Sequence, residues 1–340
     1  MAVKDEIHTL ADQRRNTERL MADDAGVSRA AELLSHGGLV SFPTETVYGL
    51  GADATDATAV AQIFAAKERP SFNPLIVHVP DVAAAQKLGR FDDQALLLAR
   101  TFWPGPFTLV VPALPDSPVA ALTSAGLDSI ALRVPSHPVA RRILAMSGKP
   151  IAAPSANRSG RISPTTAAHV LADLDGRLDA VLDGGATNVG VESTIVACHG
   201  EDIRLLRPGG IPREAVEALL GHKLISVADT GDAAPRAPGM LASHYAPAAG
   251  VRLDAVDVRP GEAWLGFGGL QPGGAEPVMS RNLSAEADLV AAAAALFSAL
   301  HALDASGARS IAVAPIPKTG LGEAINDRLS RAAAPRPGKA

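Results

Sequence analysis

The sequence predicts an α/β protein of two domains, a larger one followed by a smaller one. Short apolar runs with strand character alternate with amphipathic stretches of helical period from residue 28 to residue 332. The alternation breaks once, between 227 and 250, where Gly231, Pro235, Pro238, Gly239 and Pro247 interrupt any period. The 340 residues also exceed what one hydrophobic core ordinarily serves.

Taken in order, residues 1–27 are polar and read as an N-terminal arm, loose or in a short helix. A helix is predicted over 28–36 with Ser28 as its cap. Residues 39–42 read as a buried strand stopped by Pro43, with a loop after it. Asp56 caps a helix over 56–67 whose Val60, Ile63 and Phe64 share one face. Strands are expected at 75–79, 107–111 and 129–134, and a helix over 94–102 that stops at Trp103-Pro104-Gly105-Pro106. Residues 138–147 read as helix, 150–153 as strand, 164–174 as a helix capped by Ser163, and 180–183 as strand. A hairpin spans 193–206 around His199-Gly200-Glu201-Asp202, and a helix over 211–220 has Pro212 in its first turn. Beyond the break, strands at 251–256, 263–267 and 310–314 alternate with a helix capped by Ser284 that runs to 303 and a helix over 322–332. This pattern calls for a small parallel sheet.

Composition narrows the function. Aromatic residues are only 4%, so alanine, leucine and valine must fill the cores. A net charge of -5 and a pI near 6.0 argue against a protein that coats nucleic acid, though a small basic pocket remains open. A single cysteine, Cys198, excludes a disulfide framework and a cysteine zinc site, which suits a reducing cytosol. Residues 1–27 carry charges and no apolar core, so no signal peptide is expected. The apolar stretch 289–303 is too short to span a bilayer.

Several segments carry chemistry, each with two readings. Pro43-Thr44-Glu45-Thr46-Val47-Tyr48 offers hydroxyls, a carboxylate and a phenol after a buried strand, as a binding loop or as a capped turn. Lys67 and Arg69 lie at a helix end, where they complement its dipole or clamp a triphosphate. Pro154-Ser155-Ala156-Asn157 with Ser163, and Glu192-Ser193-Thr194 with Arg207-Pro208-Gly209, are hydroxyl-rich loops able to cradle an anion or simply to turn the chain. Arg133, inside an apolar strand, needs an anionic partner, either a structural carboxylate or a ligand's. Gly49-Leu50-Gly51-Ala52-Asp53-Ala54 matches a loose dinucleotide fingerprint. Such a fingerprint turns directly from strand into helix, whereas six residues beginning with Pro43 intervene here.

As an ordered set these segments resemble the threonylcarbamoyl-AMP synthase family. They are 43–50, Lys67-x-Arg69-Pro70, Asn73-Pro74-Leu75, Ser155-Ala156-Asn157, and Glu192-Ser193-Thr194 with Arg207-Pro208-Gly209. Pro238-Gly239-Met240, His244-Tyr245-Ala246-Pro247 and 321–328 resemble its long, two-domain members.

The resemblance implies a twisted mixed-sheet, YrdC-like domain over 28–222 with a concave basic face. A linker over 223–250 closes over the site, a smaller Rossmann-like α/β domain occupies 251–333, and a tail follows at 334–340. It implies a nucleotidyltransferase that joins L-threonine, bicarbonate or CO2, and ATP into threonylcarbamoyl-AMP and pyrophosphate, feeding t6A at tRNA position 37. Lys67, Arg69, Ser155 and Asn157 match catalytic positions. Thr44, His78, Arg133 and Ser193 match threonine positions. Lys67, Ser71, Ser155, Ser163, Arg207 and Tyr245 match ATP positions. Mg2+ is expected with ATP, with no organic cofactor and no metal held by the protein alone. A cytoplasmic location, partners in the t6A transferase machinery and weak tRNA binding follow from the same likeness. One departure is the lack of a basic residue after Pro-Gly-Met, where Leu241 and Ala242 stand. The rival readings are an RNA-binding or regulatory relative using the basic face, and an NAD enzyme built on the glycine pattern.

Overall fold

The computed structural model describes residues 15–200, 202–226 and 243–335. The larger sheet contains β1 (Glu18–Met21), β2 (Val40–Pro43), β3 (Tyr48–Asp53), β4 (Ile76–His78), β5 (Phe107–Pro112), β6 (Ser129–Arg133), β7 (Ile151–Ala152), β8 (Ala180–Asp183), β9 (Thr194–His199), β10 (Asp202–Arg207) and β11 (Ile225–Ser226). Their spatial order is β1-β8-β2-β3-β7-β4-β6-β5-β9-β10-β11, and both parallel and antiparallel pairs occur. Its helices are α1 (Asp24–Ser35), α2 (Ala57–Lys67), α3 (Val82–Gln86), α4 (Asp93–Phe102), α5 (Pro138–Ser147), α6 (Ala167–Leu174) and α7 (Arg213–Leu220).

Alternation along the central strands decides where chemistry can lie. Val77, Leu109, Leu132, Val196 and Leu205 face one way and pack with Phe64 of α2, Leu98 of α4 and Val216 of α7. Their neighbours Ile76, Val110, Ala131 and Ala197 form a smaller cluster with Ile195 and Leu206. His78 and Arg133 continue that second register, so the face opposite α2, α4 and α7 carries them. β10 needs a further device. Strict alternation would turn Arg207 toward the core beside Ile203 and Leu205. A register shift between Leu205 and Arg207 instead puts Leu206 and Arg207 on the same side.

The smaller domain has β12 (Gly250–Arg252), β13 (Asp257–Val258), β14 (Glu262–Gly266), β15 (Gly273–Gly274), β16 (Ser280–Asn282), α8 (Leu289–Asp304), β17 (Ser310–Val313) and α9 (Leu321–Ala333). Its main sheet, β12-β17-β14-β16, is wholly parallel, as the alternation of strand and helix required. Its core does not end at the domain edge. Val47, Ile162 and Val191 of the larger domain share a cluster with Tyr245, Leu296, Phe297 and Leu300. A Cβ on Gly190, whose φ is +74°, would sit 2.3 Å from Ala293 O, so glycine lets the larger domain seat directly on α8.

Several expectations change. Residues 18–27, assigned to the arm 1–27, are the edge strand β1 and the start of α1. Asp23 caps α1, accepting from Gly26 N, and Ser28 lies inside the helix. Thr166 rather than Ser163 caps α6, and Asp288 rather than Ser284 caps α8. Residues 48–53, read as loop, form β3, and Ile225 and Ser226 of the expected linker extend the sheet as β11. Gly51 is needed in β3 because a Cβ there would lie 2.6 Å from the Phe42 ring. The paired glycines therefore serve a close approach within the sheet, and the dinucleotide-fingerprint reading fails. The arm through residue 14, Pro238-Gly239-Met240, Leu241, Ala242 and the tail from 336 lie outside the described residues.

Candidate active site

The turn between β2 and β3 is ordered by its own hydroxyls. Arg133 Nη1 donates to Thr46 Oγ1 at 3.0 Å, Thr46 and Thr44 hydroxyls meet at 2.8 Å, and Thr44 Oγ1 donates to Val47 O at 2.7 Å. Because a carbonyl can only accept, the order of donation runs from Arg133 through Thr46 to Thr44. Between the two threonines, Glu45 accepts from Arg133 Nη2 at 2.5 Å and from Ser136 N at 3.1 Å. Burial alone would raise the Glu45 carboxyl, but Arg133 outweighs it and the group is held below its ordinary range.

The end of α2 supplies the next two cations. Lys67 is buried, and Nζ donates to Ser155 O and Asn157 O, both at 2.5 Å. Burial, then the neighbouring Arg69, drives its pKa well down. The chain leaves the helix through Glu68, whose φ is +53°. Arg69 then donates to Asn73 O and Pro74 O at 3.1 and 2.8 Å, and burial followed by Arg207 brings it down to about 9. The residue just before β9 is tied to the bulge, since Arg207 Nε and Nη2 donate to Ser193 O and Nη2 reaches Ser193 Oγ at 3.2 Å. Thr108 Oγ1 lies 2.7 Å behind that hydroxyl.

These elements enclose one cavity of about 40 Å3, room for a few water molecules. Arg69, His78, Arg133, Ser155, Ser193, Arg207 and Tyr245 line it. Lys67 lies behind Ser155, bonded to its carbonyl. Thr44, Ser71, Asn157 and Ser163 do not line it. Thr44 is spent on its turn, Ser71 is exposed, and Asn157 donates through Nδ2 to Arg158 O and Arg161 O. Ser163 donates to Glu192 at 2.5 Å. Thr46, Glu192 and His244 line the cavity and were missed. The signal for His244 was its place beside Tyr245.

The lid side is unusual. Tyr245 is 1% exposed, its φ is +60°, and its hydroxyl has no partner among the described residues. A bulky residue in that conformation costs about 1–3 kcal/mol and persists only where its surroundings enforce it. His78 and His244 each leave Nδ1 unpartnered, and burial pushes both to about 3, so both are neutral near pH 7.

Lys67, Arg69, Arg133 and Arg207 stand around this space against two carboxylates, Glu45 and Glu192. The excess of positive charge in a dry place calls for an anion. The class this defines is a two-domain α/β enzyme with a buried polar site built to take an anion. The family model for Sua5, YciO and YrdC, described as telomere recombination, matches residues 32–209, and that for the threonylcarbamoyl-AMP synthase C-terminal domain matches 211–334. The chain belongs to the threonylcarbamoyl-AMP synthase family. It is 41% identical over 339 residues to the threonylcarbamoyl-AMP synthase of Bacillus subtilis, covering 94% of this chain and 96% of that one. It is 40% identical over 319 residues to the Pyrococcus abyssi protein of that name, covering 89% and 92%. The crystal structure of P. abyssi Sua5 with L-threonine superposes with a TM-score of 0.85 at 35% identity, over 93% of this chain and 97% of that one.

Proposed function

We propose that the protein makes threonylcarbamoyl-AMP from L-threonine, ATP and bicarbonate-derived CO2. The observation that carries this is the wall of Arg69, Arg133 and Arg207 around one cavity, with the neutral His78 in the same lining. The threonine amine, losing one proton, attacks CO2 to give a carbamate. A carbamate oxygen attacks the α-phosphorus, and pyrophosphate leaves in line. Charge spreads over phosphoryl oxygens, so positioned cations do most of the catalysis. Arg69 meets the phosphates and Lys67 adds its charge from behind Ser155, with Arg207 and the free hydroxyl of Tyr245 beside them. Arg133 spans from Glu45 to the threonine carboxylate, and His78 and Ser193 take its amine and hydroxyl. Thr44 and Asn157 act through the turns they hold, Ser163 through Glu192, and Ser71 contacts ATP from the cavity's outer side.

A space of about 40 Å3 does not hold ATP, so His244 and Tyr245 withdraw to admit it. Mg2+ comes with the nucleotide. Glu192 is the carboxylate on the wall, and its oxygens are bonded to Ser163 and Arg328, so phosphate and water oxygens would ligate the ion. No organic cofactor takes part. Among the described residues no helix is long and apolar enough to cross a membrane. We place the protein in the cytoplasm, handing its product to the t6A transferase machinery, with weak tRNA binding at most.

Pyrophosphate release is the test, with ATP, Mg2+ and bicarbonate, with L-threonine, with serine, or with neither. Release that requires threonine, exceeds that with serine and falls about 100- to 1000-fold in Lys67→Ala supports the reading. Threonine-independent release, or none from folded protein, rejects it.

A further inference from the structure

Arg328 heads the fully buried side chains by volume among the described residues, and it belongs to the smaller domain, on α9. It does not line the cavity. Its Nε donates to Glu192 Oε2 at 2.8 Å, and its Nη1 to Pro208 O at 2.8 Å and to Asp327 Oδ2 at 2.7 Å. Its guanidinium carbon lies 5.2 Å from the centre of the Tyr245 ring. The other oxygen of Glu192 accepts from Ser163. One side chain thus touches both walls of the cavity from behind.

Tyr245 needs that help. With a left-handed backbone and an unpartnered hydroxyl, it has no local reason to stay. Its ring is held by Arg328, by Phe297 of α8 at 5.6 Å between ring centres, and by His244 at 4.1 Å edge-on. Two of these three belong to the smaller domain. The linker backbone is pinned on either side, His244 N to Arg331 O and Ala246 N to Gly160 O.

We propose that Arg328 is a positioning residue for the reaction. It fixes Tyr245 over the cavity and Glu192 against Ser163 together, so the smaller domain sets the closed geometry of the nucleotide-facing walls. A planar fork can bond Glu192 and Pro208 O while presenting a face to the ring, which an ammonium cannot. This rests on the cavity being the nucleotide site.

The chain has two tyrosines, Tyr48 and Tyr245. Full-length protein labelled with 3-fluorotyrosine gives two fluorine resonances, assigned with Tyr245→Phe. Arg328→Lys keeps a charge against Glu192 and carries the test if Arg328→Met does not fold. In Arg328→Lys the Tyr245 resonance is expected to move or broaden while that of Tyr48 stays. The KM for ATP should rise about tenfold with the KM for threonine unchanged. That rise should vanish in a Tyr245→Ala background, because the two residues act as one unit. Arg213→Met, which breaks the separate interdomain pair with Glu323, should do none of this. An unmoved Tyr245 resonance in folded Arg328→Lys, or an equal KM change with and without Tyr245, overturns the proposal. The resonance needs no substrate. A wild-type protein lacking threonine-dependent pyrophosphate release would therefore remove the functional reading and leave the positioning result to stand or fall by itself.

Discussion

Two buried arginines each hold a glutamate in this molecule, Arg133 with Glu45 at 2.5 Å and Arg328 with Glu192 at 2.8 Å. Both pairs are nearly without solvent. The first lies within one domain, and its guanidinium forms part of the cavity wall. The second crosses between domains and reaches the cavity only through Glu192 and Tyr245. The same chemistry thus builds a ligand contact in one place and a brace in the other. What separates them is which residues stand between the cation and the open space.

Removing the carboxylates should have the largest effect on both pairs. Glu45→Ala strands a buried arginine, and urea unfolding should show a loss of about 3–5 kcal/mol; Glu192→Ala leaves Arg328 its Asp327 carboxylate and should lose less. A loss below about 1 kcal/mol for Glu192→Ala, typical of an exposed pair, would mean the interdomain pair is solvated in solution. Arg133→Lys then separates the roles. It loses charge-assisted bonds of about 1.5–3 kcal/mol, so the KM for threonine should rise about 10- to 100-fold with that for ATP little changed. A matching rise for ATP would erase the distinction from Arg328.

The two walls also each carry a neutral histidine, His78 on the sheet and His244 on the linker, with pKa values near 3 against an ordinary 6.5. A depressed histidine contributes stability that is present above 6.5 and lost as pH falls toward 3, because the unfolded chain binds the proton first. Between pH 6.5 and 5 each should cost up to about 2 kcal/mol, and His78→Gln or His244→Gln should each flatten the stability profile there. An unchanged slope in either variant would show that histidine to be solvated. The smallest effect should come from Arg213→Met. Its pair with Glu323 is partly exposed, and thermal unfolding should register less than about 1 kcal/mol.

The sequence showed most helices and the central strands because their apolar spacing is local. It misplaced what tertiary contacts decide. Ser163 looked like a cap, yet its hydroxyl is taken by Glu192, a residue 29 positions away, and Thr166 caps instead. β3 was hidden because Gly49 and Gly51 resemble a turn, and only the nearness of the Phe42 ring shows why a strand would need Gly51. The orientation of Arg207 depends on a register shift that no periodicity displays. Arg133 was legible as a buried cation, but both partners left open at that point can hold it, since Glu45 binds one arm and the fork still borders the cavity. Glu192 and Arg328 each carry meaning only as a pair, and 136 residues separate them.

Lys67 has one more consequence. Its ammonium is dry, tied to two carbonyls and held far below its usual pKa by burial and by Arg69. A polyanion arriving beside it would restore its affinity for hydrogen ions. Across the window between its lowered and restored pKa, nucleotide affinity should therefore fall more steeply with rising pH in the wild type than in Lys67→Ala, which titration calorimetry at a series of pH values checks.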